Sequence, residues 1–122
     1  MIRSAREVVE LYNLVVWNEK NFALAEELLG DTVTRHDVGE VKVLTHEEAV
    51  ARVVNHWAMF ETIRFELKLV VAEGEYATIA YESPMVLPDG SELTISSMEI
   101  FRVVDGRITE VWNCGYKQGV WA

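Results

Sequence analysis

A chain of 122 residues is the length of one domain, and half of it is hydrophobic, including four Trp, four Tyr and four Phe, enough to fill a single core. Eleven basic residues against twenty acidic ones give a formal charge of −9 with no basic run, which argues against nucleic acid as a partner, because polyanion binding needs a concentrated basic surface. Two Pro and no low-complexity tract argue against disorder, and the lone Cys114 leaves no internal disulfide framework. No apolar stretch approaches the ~20 residues that cross a bilayer, so no membrane partner and a cytoplasmic setting are expected.

Ser4 followed by Glu7 has capping-box spacing and starts a helix that runs to about Trp17. Val8, Leu11, Tyr12 and Val15 form its apolar stripe, widened by Val9, Val16 and Trp17. Asn21 caps a second helix over Phe22–Leu29, which Gly30 ends. Thr32–Val38 is β-branched and reads as a short strand. Thr45 and Glu48 repeat the capping box for a third helix, whose buried side is Ala49, Val50, Val53, Val54, Trp57 and Phe60.

Beyond Phe60 the period changes to two. Phe65, Leu67, Leu69 and Val71 alternate with Glu66 and Lys68 as in a half-buried strand. Gly74 marks a turn into a strand over Tyr76–Met85, and Pro88-Asp89-Gly90 turns into another over Leu93–Val104. Asp105-Gly106 is a hairpin turn, and Arg107–Asn113 returns antiparallel. Helices first and an antiparallel meander afterwards predict one α+β domain spanning residues 1–122.

Polar groups that interrupt core faces are the candidate site. The strand face Leu93, Ile95, Ser97, Glu99, Phe101, Val103 is apolar at both ends and polar in the middle. A carboxylate at Glu99 must be neutralised or paired with a basic neighbour if that face is buried. On the first strand, Thr34, His36 and Val38 share one side, and Val33, Arg35 and Asp37 the other. His36 on a pocket wall would transfer a proton near neutral pH; otherwise it is a satisfied structural histidine. Asn13 interrupts an apolar helix and Asn113 ends the last strand beside Trp112; each could orient a carbonyl or cap local backbone. His36, His46 and His56 lack ligand spacing, so no metal site is expected, and Cys114 has no base beside it.

Three segments, in order, resemble the SnoaL-like proteins of the nuclear transport factor 2 and ketosteroid isomerase superfamily. They are Val16-Trp17-Asn18-Glu19, then Leu28-Leu29-Gly30-Asp31-Thr32-Val33 entering Arg35-His36-Asp37, then Glu99 through Trp112. The resemblance implies a cone: a strongly curved, mixed, mostly antiparallel sheet wrapped around three N-terminal helices, with an internal apolar pocket. It implies catalysis without metal or organic cofactor. His36 falls at the isomerases' proton shuttle, Glu99 at their protonated acid and Asn13 at their tyrosine donor. Asn113 stands where the related epoxide hydrolases carry an acid, with Glu82 the nearest carboxylate on the preceding sheet.

The expected function is an isomerase or cyclase that abstracts a proton next to a carbonyl of a hydrophobic small molecule. His36 is its base, tuned by Asp37; Glu99 is the oxyanion donor, with Asn113 completing the catalytic set. Asn13, Trp17, Trp57, Phe60, Glu82, Phe101 and Trp112 are the expected substrate contacts. A hydrolase or dehydratase using Glu99 or Glu82 to activate water is the alternative. A non-catalytic binding or dimerisation domain is the other. The opposite side of the Glu99 strand, Thr94, Ser96, Met98, Ile100 and Arg102, is a mixed surface suited to a homodimer.

Overall fold

The computed structural model describes residues 2–122. Helix α1 (Ala5–Leu11) opens with the expected capping box: Ser4 Oγ accepts from the Glu7 amide, and the Glu7 carboxylate accepts from the Ser4 amide. The helix then widens into a π-helical turn over Tyr12–Trp17. A wider turn aligns residues four and five apart, so Tyr12, Asn13, Val16 and Trp17 all face inward. Asn21 caps α2 (Phe22–Leu28) by accepting from the Leu24 amide. Thr45 and Glu48 form the second capping box, on α3 (His46–Trp57).

The strands are β1 (Leu29–Asp37), β2 (Glu40–Thr45), β3 (Thr62–Ile63), β4 (Glu66–Glu73), β5 (Tyr76–Val86), β6 (Glu92–Val104), β7 (Arg107–Asn113) and β8 (Lys117–Gln118). They form one open, curved, mixed sheet in the order β2-β1-β7-β6-β5, with β3 and β4 sharing the far edge of β5. β1 runs parallel to β7, and the pairs β1–β2, β4–β5, β5–β6 and β6–β7 are antiparallel. The long β6 is shared: β7 pairs with its second half and β8 with Ile95 and Ser96. This is the α+β architecture expected, with α3 inserted after the β1–β2 hairpin.

The inner face follows the pleat. Ala77, Ile79, Tyr81, Ser83 and Met85 of β5 alternate inward, as do Ile95, Ser97, Phe101 and Val103 of β6. They meet Val8, Val9 and Val16 of the first helix, Leu28 of α2 and Val53 of α3. Fully burying Phe101, Leu28, Ile79 or Ile108 is worth about 1.5–3 kcal/mol each. The Asp105–Gly106 turn has φ of 51° and 75°, the paired positive values of a tight two-residue hairpin.

Four expectations are corrected. β2 adds a strand that the sequence pattern does not predict, since its alternation has no buried member beyond a half-buried Leu44 and no core face announces it. In β4 a bulge between Leu67 and Leu69 inverts the alternation: Phe65, Leu67 and Val70 pack on the core, whereas Leu69 and Val71 turn outward. Val54 of α3 is exposed. Gly30 does not end α2 but lies within β1, at the irregularity between Leu29 and Thr34 in its pairing with β7. A Cβ there would sit 2.9 Å from the Ile108 carbonyl oxygen and 3.2 Å from that of Thr32. Both obstacles are backbone, so Gly30→Ala should lower unfolding free energy by about 1–3 kcal/mol, the range for overpacking, read by chemical denaturation.

Candidate active site

A cavity of about 130 Å³ lies between the inner face of the sheet and the helices. Trp17, Ile63, Phe65, Met85 and Ile95 supply its apolar wall; Asn13, Arg35, Arg52, His56, Tyr81, Glu99 and Asn113 supply the polar one. Two clamps hold the apolar wall. Asn18 Nδ2 donates to the Phe65 carbonyl at 3.0 Å and Asn18 Oδ1 accepts from the Phe65 amide at 2.7 Å, tying the start of β4 to the helix end. Trp57 Nε1 donates to the Trp17 carbonyl at 2.9 Å, locking α3 to the π turn.

Arg35 and Glu99 are the electrostatic centre. Arg35 Nη2 is 3.8 Å from Glu99 Oε2, with side chains only 9% and 12% exposed. Glu99 thus has the basic neighbour that its buried position requires. Burial raises the Glu99 pKa, against the pull of Arg35 and Arg52. Burial, then repulsion from Arg52, lowers that of Arg35. His56, stacked on Phe60 and edge-on to Trp17, is also held below its ordinary value, first by burial and then by Arg52 and Arg35. Burial and the Glu99 charge push the Tyr81 phenol far up, so it remains a donor. The cavity therefore shifts His56 and Glu99 each toward its uncharged form, in a lining that also holds two guanidinium groups.

Of the residues singled out in the sequence, the structure brings Glu99, Asn113, Asn13 and Trp17 to this cavity. Asn13 Nδ2 donates to the Val9 carbonyl at 2.8 Å, and Asn113 Oδ1 accepts from the Gly115 amide at 2.7 Å. Asp37 lies one step outside, in an adjoining cleft that shares Arg35, Arg52 and Asn113 with the cavity. Trp57 and Phe101 are core residues, and Phe60 stacks behind His56.

His36, Trp112 and Glu82 are on the opposite face of the sheet. His36 Nε2 is 2.8 Å from Glu110 Oε2, and its ring stacks on Trp112 at 4.9 Å. Glu110 also accepts from Arg102, which reaches Glu75. Glu82 pairs with Lys68 at 3.4 Å and accepts from the Trp121 amide. The pleat of β1 decides the matter: Val33 and Arg35 point inward, so His36 must point out. Arg35 was the overlooked partner because hydropathy assigns an arginine to the solvent side. His56 carries no ligand spacing in the sequence, and its place one residue before the buried Trp57 and four after Arg52 puts it on the cavity-facing edge of α3.

Residues 8–111 match the sequence profile of the SnoaL-like domain. The chain belongs to that family. No curated protein matches it significantly. Among solved structures, the SnoaL-like chain is similar to a proposed polyketide cyclase from Acidithiobacillus ferrooxidans, at 21% identity and a TM-score of 0.77 over 88% of this chain and 84% of that one. It is similar also to an LEH-like epoxide hydrolase from M. tuberculosis (17%, 0.78, over 93% and 82%). A third is a protein of ketosteroid isomerase-like fold from Catenulispora acidiphila, bound to trimethylamine (16%, 0.75, over 89% and 85%). At such identities the likeness speaks for the fold.

The lowered His56 pKa has a consequence for stability. The unfolded chain takes up a proton at this residue below its ordinary 6.5, while the folded state resists it. The unfolded state then binds more protons, so stability falls as pH drops below about 6.5. Calorimetric melting from pH 7 to 5 should show a smaller loss in His56→Gln than in the parent chain.

Proposed function

We propose that this SnoaL-like chain is an acid–base enzyme that moves a proton next to the carbonyl of a small, largely apolar substrate, the chemistry of isomerisation or aldol-type cyclisation. The observation that carries the reading is the convergence of His56, Glu99 and Arg35 on one cavity, with His56 and Glu99 both biased to their uncharged forms. Neutral His56 is ready to accept a proton, and protonated Glu99 is ready to donate one. In the forward step His56 removes the proton on the carbon beside the carbonyl. The C–H electron pair moves into the carbonyl, and the developing oxyanion receives a hydrogen bond from Glu99 and the field of Arg35. The imidazolium then returns its proton at the new carbon, or the enolate attacks a second carbonyl within the same substrate. Tyr81 and the Asn13 amide orient the substrate from opposite walls.

The base assigned here is His56 in place of His36, whose partners lie outside the cavity. Water activation by Glu82 finds no support for the same reason, since Lys68 and Trp121 hold that carboxylate on the outer face. The outer face is also where a second copy would dock. Exposed Leu69, Val71, Met98 and Ile100 form its apolar part, and light scattering reads whether the chain is a homodimer.

In deuterated water the protein should exchange protons next to the carbonyl in members of a panel of cyclic ketones and oxo acids, followed by NMR. His56→Ala and Glu99→Gln should each slow exchange by roughly 10²–10⁴-fold, the worth of general acid–base catalysis. His36→Ala should leave the rate unchanged. The rate should fall on the acid side as His56 takes up a proton, and on the alkaline side as Glu99 loses one. Exchange that survives both cavity substitutions would remove His56 and Glu99 from the mechanism, and no exchange with any member would leave a binding domain without chemistry.

A further inference from the structure

Arg35 is a buried guanidinium whose hydrogen-bonding capacity is unspent. Its residue is 8% exposed, yet none of its side-chain nitrogens makes a hydrogen bond among the described residues, and its one ion pair, to Glu99, is long at 3.8 Å. No fully buried polar side-chain atom lacks a partner among these residues, so the free Arg35 nitrogens keep an open side. Arg35 lines the cavity, the adjoining cleft and a much smaller void against Leu29, Val33 and Ile108. Arg52, half-buried one turn before His56 on α3, lines the same spaces and has no side-chain ion pair or hydrogen bond among the described residues. Buried guanidinium groups are normally saturated by carboxylates or carbonyls, because each carries five donors and a charge that is costly to desolvate.

Two unsaturated arginines therefore meet where the cavity joins the cleft. Within the cavity they face one carboxylate, Glu99. In the cleft beyond, Lys42 adds a cation and Asp37 and Glu48 add two acids. Over the two spaces three cations thus face three carboxylates, a local balance inside a chain of net charge −9, and what sets the junction apart is the unspent N–H donors of its two guanidinium groups. The far wall, Trp17, Ile63, Phe65, Met85 and Ile95, is apolar. The space is thus two-ended, with free guanidinium donors where it meets the cleft and an apolar wall at the other end.

We propose that the ligand is an apolar carboxylate, its acid group held by Arg35 and Arg52 where the cavity meets the cleft and its ring or chain lying on the Trp17–Phe65 wall. A planar carboxylate matches the guanidinium fork two oxygens to two N–H groups, a fit that a neutral carbonyl lacks. The proposal rests on the catalytic reading only in placing the reacting carbonyl near His56 and Glu99; within that reading it names the substrates as oxo acids. The acid group would also steady Arg35 while Glu99 is protonated.

The test uses benzoate and cyclohexanecarboxylate against benzamide and cyclohexanecarboxamide, with binding read from tryptophan fluorescence and confirmed by calorimetry. The carboxylates should bind at least about 10-fold more tightly than the matching amides, as a charge-assisted hydrogen bond implies. Arg52→Met should abolish that preference, and so should Arg35→Met if circular dichroism shows it folded. Glu99→Gln, which leaves no ionisable carboxyl beside Arg35, should keep or strengthen it. His56→Ala should slow α-proton exchange while preserving the carboxylate preference, which separates the two readings. A preference for acids in a protein that exchanges no protons would sink the catalytic reading and leave this one standing. Equal binding of acids and amides, a preference that persists in Arg52→Met, or no binding of either class would overturn it.

Discussion

An arginine and a glutamate taken out of water inside a small domain impose a constraint on everything around them. Moving either charge inward is costly, and a single contact at 3.8 Å does not make a pair more stabilising than a well-packed apolar one. Arg35 and Glu99 are carried by different strands, β1 and β6, separated in the sheet only by β7. Their approach requires the β1–β7 parallel pairing and the β6–β7 hairpin to be in register together. Asp37, Asn113 and Glu99 then fall in one row across three strands. A one-residue slip of β1 would present His36 to the interior and Arg35 to solvent, exchanging the site's chemistry along with its charge.

The remaining architecture keeps space open beside that pair. The π turn carries Tyr12, Asn13 and Trp17 on its inward face. Asn18 pins the start of β4, and the Trp57 indole pins α3 to the same turn, so the roof of the cavity is fastened at both ends. At the other side Gly30 lets the backbone of β1 come against β7 without a side chain between them. These devices are rigid elements, suited to holding catalytic groups in fixed geometry.

Family membership and site chemistry separate cleanly. The SnoaL-like fold is carried by the hydrophobic pattern, the caps and the final hairpin, and its solved neighbours are described variously as cyclase, epoxide hydrolase and isomerase-like. Such diversity on one scaffold means that the reaction resides in the few polar residues around the cavity. Here the polar lining includes Arg35, Arg52, His56, Tyr81 and Glu99, and the shift of His56 and Glu99 toward their uncharged forms is a property of this chain's own side chains.

Local rules were enough for both capping boxes, the Asn21 cap, the Asp105–Gly106 hairpin and the inward face of β6 with Glu99 in its middle, because caps, turns and alternation depend on neighbours within a few residues. The same rules named Asn13, Asn113 and Trp17. Tertiary structure alone decided which face of β1 is inside. Val33-Arg35-Asp37 and Thr34-His36-Val38 are about equally polar, so hydropathy cannot choose between them, and only the packing of helices on one side of the sheet does. That choice sends His36 to Glu110 and Trp112 on the outer face, and Arg35 to Glu99. The bulge in β4 and the arrival of His56 and Arg52 from α3 were likewise beyond reach. Each depends on contacts between segments distant in the chain, and a desolvated charge declares itself only when the partner that makes it tolerable has been folded beside it.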